Sequence, residues 1–238
     1  MTAAADPVPR LARARAYLAL DGAALRGLIV EVNDGIIATA GIVEGFVSAG
    51  ATTTESMVAA GAAMISGGIA LGGAKYAEAA AERDARLVLV EEERGQLHLS
   101  PDEELAELVS IYEAKGLSLE LARQVATELS ERDALAAHAE AEHGIALHEA
   151  PVRPLVSGIL AGLAFAIGSA FVLLTVVLTP TSGRGLTTFV AVVIALCLTS
   201  VVLAVWGRVP VVRAVVRNVS IGVSAMLLTF AIGSRFDV

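Results

Sequence analysis

Five stretches of this chain are long and apolar enough to cross a lipid bilayer, and they constrain its fold more than any other feature. A spanning helix needs roughly 20 mainly apolar residues. Hydrophobic residues make up 55% of the chain and the mean hydropathy is +0.70, whereas soluble domains contain about 45–50% apolar residues. The sequence therefore predicts an all-α, polytopic membrane protein with five transmembrane helices. The predicted spans cover residues 28–50, 56–76, 155–178, 186–206 and 211–233.

Positive charges predict the orientation of these spans. The leader, residues 1–25, and the connection between the fourth and fifth spans are basic, whereas the first and third connections offer only Arg184. Cytoplasmic loops of membrane proteins carry an excess of Lys and Arg. We therefore expect a multi-pass protein of the cell membrane, with its amino terminus in the cytoplasm and its carboxyl terminus outside. The segment between spans two and three is then cytoplasmic as well.

That segment differs from the rest of the chain in charge. Residues 78–149 contain 18 acidic and 6 basic residues, a formal charge of −12, although the whole chain carries only −8. We therefore predict an acidic cytoplasmic domain over residues 78–150, inserted between spans one and two (residues 26–77) and spans three to five (residues 151–238).

Helix signals recur throughout this insert. Ser100, followed by Pro101 and Glu103, predicts a capping serine, a proline at the first helical position and a capping box. Gly116 and Gly144 predict helix ends, and further helix starts are predicted at Ser118 and within residues 130–133. No breaker separates the second span from Glu93, so we expect that helix to continue into the insert.

The first span carries acidic residues that a purely structural span would avoid. Glu31, Asp34 and Glu44 lie within it, and Asp34 follows Asn33. A carboxylate in hydrocarbon costs ~2.5–3.5 kcal/mol on insertion scales, and intramembrane acids are functional-site candidates by default. Glu31 lies one turn before Asp34 on the same helix face, where it could supply a second ligand or a proton site. The span therefore predicts a cation pathway.

Acidic residues also share helix faces within the insert. Glu104 and Glu107 are three positions apart, and His138 and Glu142 are four apart, spacings that place side chains side by side. Carboxylate oxygens suit Mg²⁺, Mn²⁺ and Fe²⁺, and an imidazole shifts the preference toward transition metals. The pattern indicates a site for Fe²⁺ or Mn²⁺. The alternative is a solvated acidic surface with no ligand.

Several short motifs follow one another in a distinctive order. They are Val-Asn-Asp-Gly-Ile at 32–36, Thr-Ala-Gly at 39–41, Glu-Arg-Asp at 82–84, Ile-Tyr-Glu-Ala-Lys-Gly-Leu-Ser at 111–118, Leu-Ala at 121–122 and Asp-Ala-Leu at 133–135. With the five-span layout, this order resembles the vacuolar iron transporter family of divalent-metal transporters. The resemblance implies a homodimer whose first spans line a central metal pathway, with an acidic domain that collects metal in the cytoplasm. Fe²⁺ or Mn²⁺ would then be the transported ion, and we expect no tightly bound cofactor.

The same resemblance assigns roles to particular residues. Asp34 occupies the position of the family's pore aspartate. In the insert, the family uses glutamates on the first two helices and a Met-Met-x-x-Glu arrangement on the last. The matching positions are Glu91 and Glu93, placed only loosely, on the first helix, Glu104 and Glu107 on the second, and His138 and Glu142 on the last, where His138 replaces the first methionine.

The second span departs from the family pattern. Leu71 and Lys75 stand where the family has a methionine and a glutamate. A lysine at the mouth of the pathway would repel a divalent ion unless it faces lipid headgroups. Either Met64 serves as the pathway methionine, or the selectivity of this chain differs from that of other members.

The function predicted from these features is export of Fe²⁺ or Mn²⁺ from the cytoplasm, with protons returning through the same carboxylates. The expected partners are divalent metal ions, protons, the bilayer and a second copy of the chain, and no nucleic acid. A membrane-anchored interaction protein with an acidic docking domain is the alternative, although it leaves Asp34 unexplained. An enzyme such as a di-iron oxidase needs a Glu-x-x-His motif on each of two facing helices. The insert does not carry that pair, so we expect a non-enzyme.

Overall fold

The computed structural model describes residues 22–147, 153–180 and 183–236, and this part of the chain is helical with no β-strand. The basic leader predicted at residues 1–25 lies almost entirely outside the described residues. The helices are α1 (Gly22–Ser48), α2 (Thr53–Leu99), α3 (Pro101–Ala114), α4 (Leu119–His143), α5 (Pro154–Leu178), α6 (Arg184–Gly207) and α7 (Val211–Gly233).

Four of these helices are long and apolar enough to cross a membrane, namely α2, α5, α6 and α7. Helix α1 is not among them, because Arg26, Glu31, Asp34 and Glu44 interrupt its apolar sequence. The structure thus agrees with a helical membrane protein. The first predicted span, which corresponds to α1, and the cytoplasmic position of the insert stay predictions.

The chain divides into two compact units, and the first contains α1, the start of α2, and α5 to α7. Helix α1 packs against α5, α6 and α7. Its contact with α5 is close because Gly35 meets the backbone of Phe165 and Gly168 meets the backbone of Val32; a Cβ atom at either glycine would collide with main chain. Small residues allow this approach, since lipid provides no hydrophobic drive for helices to associate.

Glycines also form a packing seam between α2 and α5. A Cβ atom on Gly72 would lie 2.8 Å from the carbonyl oxygen of Gly158, and one on Gly162 would lie 2.8 Å from that of Gly68. Gly61 and Gly73 of the same helix face open space, because only one side of the helix meets α5.

The second unit covers Glu78–Arg153. Helix α2 runs unbroken for 47 residues to Leu99, which confirms the predicted continuation of the second span. Helices α3 and α4 pack against each other through a small apolar core of leucine, valine and alanine. The core residues are Leu108, Val109, Ala122 and Ala126.

The predicted helix boundaries in this unit agree with the structure, and the one exception is the side-chain cap predicted at the start of α3. Gly116 and Gly144 adopt positive φ angles of 101° and 66° at the ends of α3 and α4, a conformation that favours glycine. Ser118 caps α4 by accepting from the amide of Leu121. Ser100 and Pro101 stand at their predicted positions at the start of α3, but the predicted side-chain cap is wrong, because Ser100 makes no side-chain capping bond at its observed backbone angles.

Candidate metal centre

Four of the predicted ligand residues converge in the second unit. Glu93 comes from α2, Glu104 from α3, and His138 and Glu142 from α4; one ligand atom of each lies within 4.8 Å of those of the others. The centre of the group is Nδ1 of His138. It lies 3.0 Å from Oε1 of Glu142, 3.1 Å from Oε1 of Glu93 and 3.6 Å from Oε2 of Glu104. We call these four residues the insert cluster.

A break inside α4 positions the last two residues of the cluster. Asp133 leaves the helical conformation, with φ −166° and ψ 89°, and its carboxylate accepts from the amide of Ala136 at 3.0 Å. Asp133 therefore caps a new helical segment, as asparagine and aspartate commonly do. His138 and Glu142 lie one turn apart on this segment, so their side chains point the same way.

Most of the insert cluster is shielded from water. The exposed fractions are 0% for His138, 1% for Glu93 and 8% for Glu104, while the side chain of Glu142 is 18% exposed. Oε1 of Glu93 lies 3.1 Å from Nδ1 of His138 but not in hydrogen-bonding alignment, so neither carboxylate oxygen of Glu93 nor Nε2 of His138 has a hydrogen-bond partner among the described residues. Buried polar groups are nearly always paired, so these atoms indicate a missing partner.

Burial raises the pKa of two carboxylates of the cluster, those of Glu93 and Glu104. Desolvation raises the pKa of Glu93, and the negative charge of Glu142 raises it further. Desolvation likewise raises the pKa of Glu104, although the neighbouring His138 opposes that rise. A cation among these groups would favour their ionised forms.

The donor set determines which cation fits. A single N–H at Nδ1 of His138 cannot satisfy three carboxylates, and a deprotonated Nδ1 would face them as a fourth lone pair. Three oxygens and one imidazole nitrogen suit a borderline transition-metal ion. Metal–ligand bonds of roughly 2.0–2.2 Å hold neighbouring ligand atoms roughly 3–3.5 Å apart, close to the 3.0–3.6 Å that separates Nδ1 of His138 from the three carboxylate oxygens.

Two predicted ligands lie outside this group. Glu91 is exposed and pairs with Arg94, and Glu107 is also exposed. The structure instead adds His143, whose Nε2 lies 3.8 Å from Oε2 of Glu93 and 3.9 Å from Oε2 of Glu142. No pair of histidines in the insert has a recognised ligand spacing, and the signal for His143 was its place directly after Glu142.

In the first unit, Asp34 lies between two residues that are held in place. Asn33 is buried and accepts from the hydroxyl of Thr199 on α6 at 2.6 Å. The carbonyl of Gly35 accepts from Ser169 on α5 at 3.3 Å. These bonds fix the rotation of α1, and Asp34 is left exposed on the single chain.

Glu31 and Glu44 lie in different surroundings. Glu31 is 7% exposed, and its Oε1 lies 3.9 Å from Nζ of Lys75. Glu44 lies roughly 20 Å further along α1, at 1.5 Å per residue. It is buried against the first turn of α6, where a Cβ atom on Gly185 would lie 3.3 Å from its Oε2. A helix amino terminus favours negative charge, and the predicted place of Glu44 in the pathway stays a prediction.

Met64 lines an apolar groove of about 590 Å³ between α2 and α5, together with Gly68 and Gly158. None of the described residues that line this groove is charged. Met64 therefore lies there among apolar side chains.

Membrane-spanning helices, acids on a central helix and a carboxylate–imidazole cluster on an insert together define a helical membrane protein with a candidate centre for divalent metal. The family model described as the VIT family matches residues 25–234. The chain belongs to this family, as the order of its motifs predicted. A protein called vacuolar iron transporter, from Acanthamoeba castellanii (strain ATCC 30010 / Neff), is 35% identical over 85 residues. That match covers 36% of this chain and 32% of the relative, so it spans about a third of the relative's length.

Proposed function

We propose that the protein transports divalent transition-metal ions, Fe²⁺ or Mn²⁺, out of the cytoplasm. The observation that carries this proposal is the insert cluster, in which ligand atoms of three carboxylates and an imidazole converge within 4.8 Å of one another, and Glu93 is buried with no hydrogen-bond partner among the described residues. The name of the Acanthamoeba relative, vacuolar iron transporter, supports iron as one transported ion.

The insert cluster is proposed to capture the ion before transport. Its oxygens and its imidazole would replace part of the water shell of the ion, and its short ligand spacing would favour a small divalent ion over a monovalent one. The acidic surface around it, with a formal charge of −12 over residues 78–149, would raise the local concentration of cations. We propose that this unit lies in the cytoplasm.

Transport itself is proposed to use Asp34 and Glu31 on α1. This helix would be the first of five membrane spans. Asp34 is exposed on the single chain although its neighbours Asn33 and Gly35 are buried. A carboxylate exposed to hydrocarbon is expensive. We therefore propose a homodimer in which Asp34 faces its counterpart and the two copies of α1 enclose the pathway.

Protons are proposed to move against the metal. Glu31 and Asp34 lie one turn apart in a span, and two ionised carboxylates this close in a low dielectric require a compensating cation. A metal ion or a proton can meet that requirement. Competition between them for one set of oxygens would couple metal export to proton entry.

The test is metal uptake into proteoliposomes under an imposed pH gradient, with Fe²⁺ and Mn²⁺ as separate substrates. We expect gradient-dependent uptake by the wild type and none by Asp34→Asn, which keeps the shape of the side chain without its charge. Glu128→Gln is the control, because Glu128 is an exposed acid on α4. Absence of flux with either ion would refute the proposal in favour of a membrane-anchored interaction protein, and flux indifferent to the gradient would refute antiport.

A further inference from the structure

Lys75 places a positive charge beside a buried carboxylate of the proposed pathway. Its Nζ lies 3.9 Å from Oε1 of Glu31. Only 7% of Glu31 is exposed, whereas the side chain of Lys75 is 39% exposed. The sequence indicates that this lysine would repel a divalent ion unless it faces lipid headgroups. In the structure it also forms an ion pair with Glu31.

The paired carboxylate has a second acid beside it. Asp34 lies three positions after Glu31 on α1, so the two carboxylates share a helix face. The ion pair with Lys75 therefore forms at one of the two acids that the proposed pathway uses.

We propose that Lys75 is an internal competitor for the transported ion: its ammonium group compensates Glu31 when no metal is bound and is displaced when a divalent ion arrives. Lys75 would then be a specificity-determining residue of the pathway. This inference rests on the proposed function, since it assumes that Glu31 and Asp34 bind the ion during transport.

Displacement follows from charge and from the shape of lysine. An ammonium group and a divalent ion cannot both stay next to Glu31, because like charges at such distances repel strongly in a low dielectric. Lysine has a long flexible stem that can carry its charge toward water or headgroups. The side chain of Lys75 is 39% exposed, so this movement does not require its stem to leave a packed core.

Competition also selects for ionic charge. At equal distance a divalent ion gains about twice the Coulomb attraction of a monovalent ion. A divalent ion can therefore replace the ammonium group with a net gain, whereas K⁺ or Na⁺ offers the carboxylates no more charge than Lys75 already does. Lys75 would thus keep abundant monovalent cations out of the pathway.

The experiment measures initial rates of Mn²⁺ uptake into proteoliposomes that contain the full chain, across a range of Mn²⁺ concentrations. We expect Lys75→Met to lower KM by about tenfold, which corresponds to about 1.4 kcal/mol, while the maximal rate changes far less. Lys75→Arg keeps the charge and should restore the wild-type KM. A large excess of K⁺ should raise the KM of Lys75→Met but leave that of the wild type unchanged.

An unchanged or raised KM in Lys75→Met would overturn the inference, and so would a lowered KM in Lys75→Arg. If Lys75→Met does not fold, as judged by its elution from a sizing column, Lys75→Gln removes the charge but keeps a hydrogen-bond donor for Glu31 and gives the same test. Failure of the proposed function is a separate outcome, seen as no uptake by the wild type or as undiminished uptake by Asp34→Asn.

Discussion

Replacing Glu93 by glutamine should change the stability of the protein in opposite directions with and without metal. Glu93 is 1% exposed, and no described residue hydrogen-bonds its carboxylate oxygens. Without metal, the substitution removes a poorly compensated buried charge. With metal, it removes a ligand of the insert cluster. A residue with a merely structural role would not produce both effects.

The loss of metal binding can be estimated. Removing a group that only orients a metal ligand weakens binding by about 10–100-fold, so loss of the carboxylate ligand itself should weaken binding by at least about 100-fold. At a free metal concentration of 100 times the wild-type Kd, binding stabilises the folded protein by about 2.7 kcal/mol. By the same relation, the variant would gain only about 0.4 kcal/mol at that concentration.

Without metal, the substitution of Glu93 by glutamine should instead raise the stability of the protein. A buried charged group without a hydrogen-bond partner destabilises a fold by at least about 1 kcal/mol. Glutamine keeps the size of the side chain, so packing around His138 should change little. We therefore expect a higher apparent transition temperature for metal-free Glu93→Gln than for the metal-free wild type.

Calorimetric titration with Mn²⁺ and thermal scans of the full chain in detergent measure the two effects. Glu91→Gln is the matched control, because Glu91 lies on the same helix but is exposed and pairs with Arg94. It should behave as the wild type in both assays. The reasoning would be refuted if Glu93→Gln bound Mn²⁺ as tightly as the wild type, or if Glu91→Gln lost as much affinity.

Three further outcomes follow from the same geometry. Replacing His143 by alanine should weaken Mn²⁺ binding by less than replacing His138 does, in the same titration, because its Nε2 lies 3.8 Å or more from the carboxylates. Gly35→Ala should prevent the close contact of α1 with α5 and lower the transition temperature by several degrees in a thermal scan, because overpacking costs about 1–3 kcal/mol. Burial raises the folded-state pKa of Glu93 above its unfolded value, so the folded state binds the extra proton. The metal-free protein should therefore gain stability in pH-dependent scans as the pH falls from neutral toward about 4.5, and Glu93→Gln should flatten that slope.

The sequence predicted the helices of the insert well because the ends of these helices depend on local chemistry. Gly116 and Gly144 end helices by adopting positive φ angles, a property of glycine that needs no tertiary context. The pairing of His138 with Glu142 was predictable for a similar reason, since helical periodicity alone places residues four apart on one face.

The choice of Glu93 over its neighbours was not predictable in this way. Residues 91–93 are three successive glutamates, and on a helix each points about 100° away from the last. Which one turns inward depends on how α2 packs against α3 and α4. The same limit applies to Gly61 and Gly73, which carry the composition of a packing seam but face away from α5.

Lys75 shows the corresponding limit for charge. Its position in the sequence indicates repulsion of a cation but does not show which carboxylate it meets; in the structure it lies within 3.9 Å of Glu31. The identity of its partner therefore depends on the register between two helices. That register is set by long-range packing, which a single sequence does not display.

The carboxylates of the insert cluster and Glu31 on α1 have different positively charged or donor groups beside them. This difference affects the order in which the two places bind metal. His138 lies between the carboxylates of the insert cluster, and its imidazole can itself become a metal ligand once Nδ1 is deprotonated. Lys75 offers only an ammonium group, which has no lone pair and must leave Glu31 before a metal ion can bind. On the functions proposed for them, the insert cluster binds a metal ion without expelling a side chain, whereas the membrane carboxylates must first release one. The insert cluster should consequently fill at the lower metal concentration, which is the order that capture followed by transport requires.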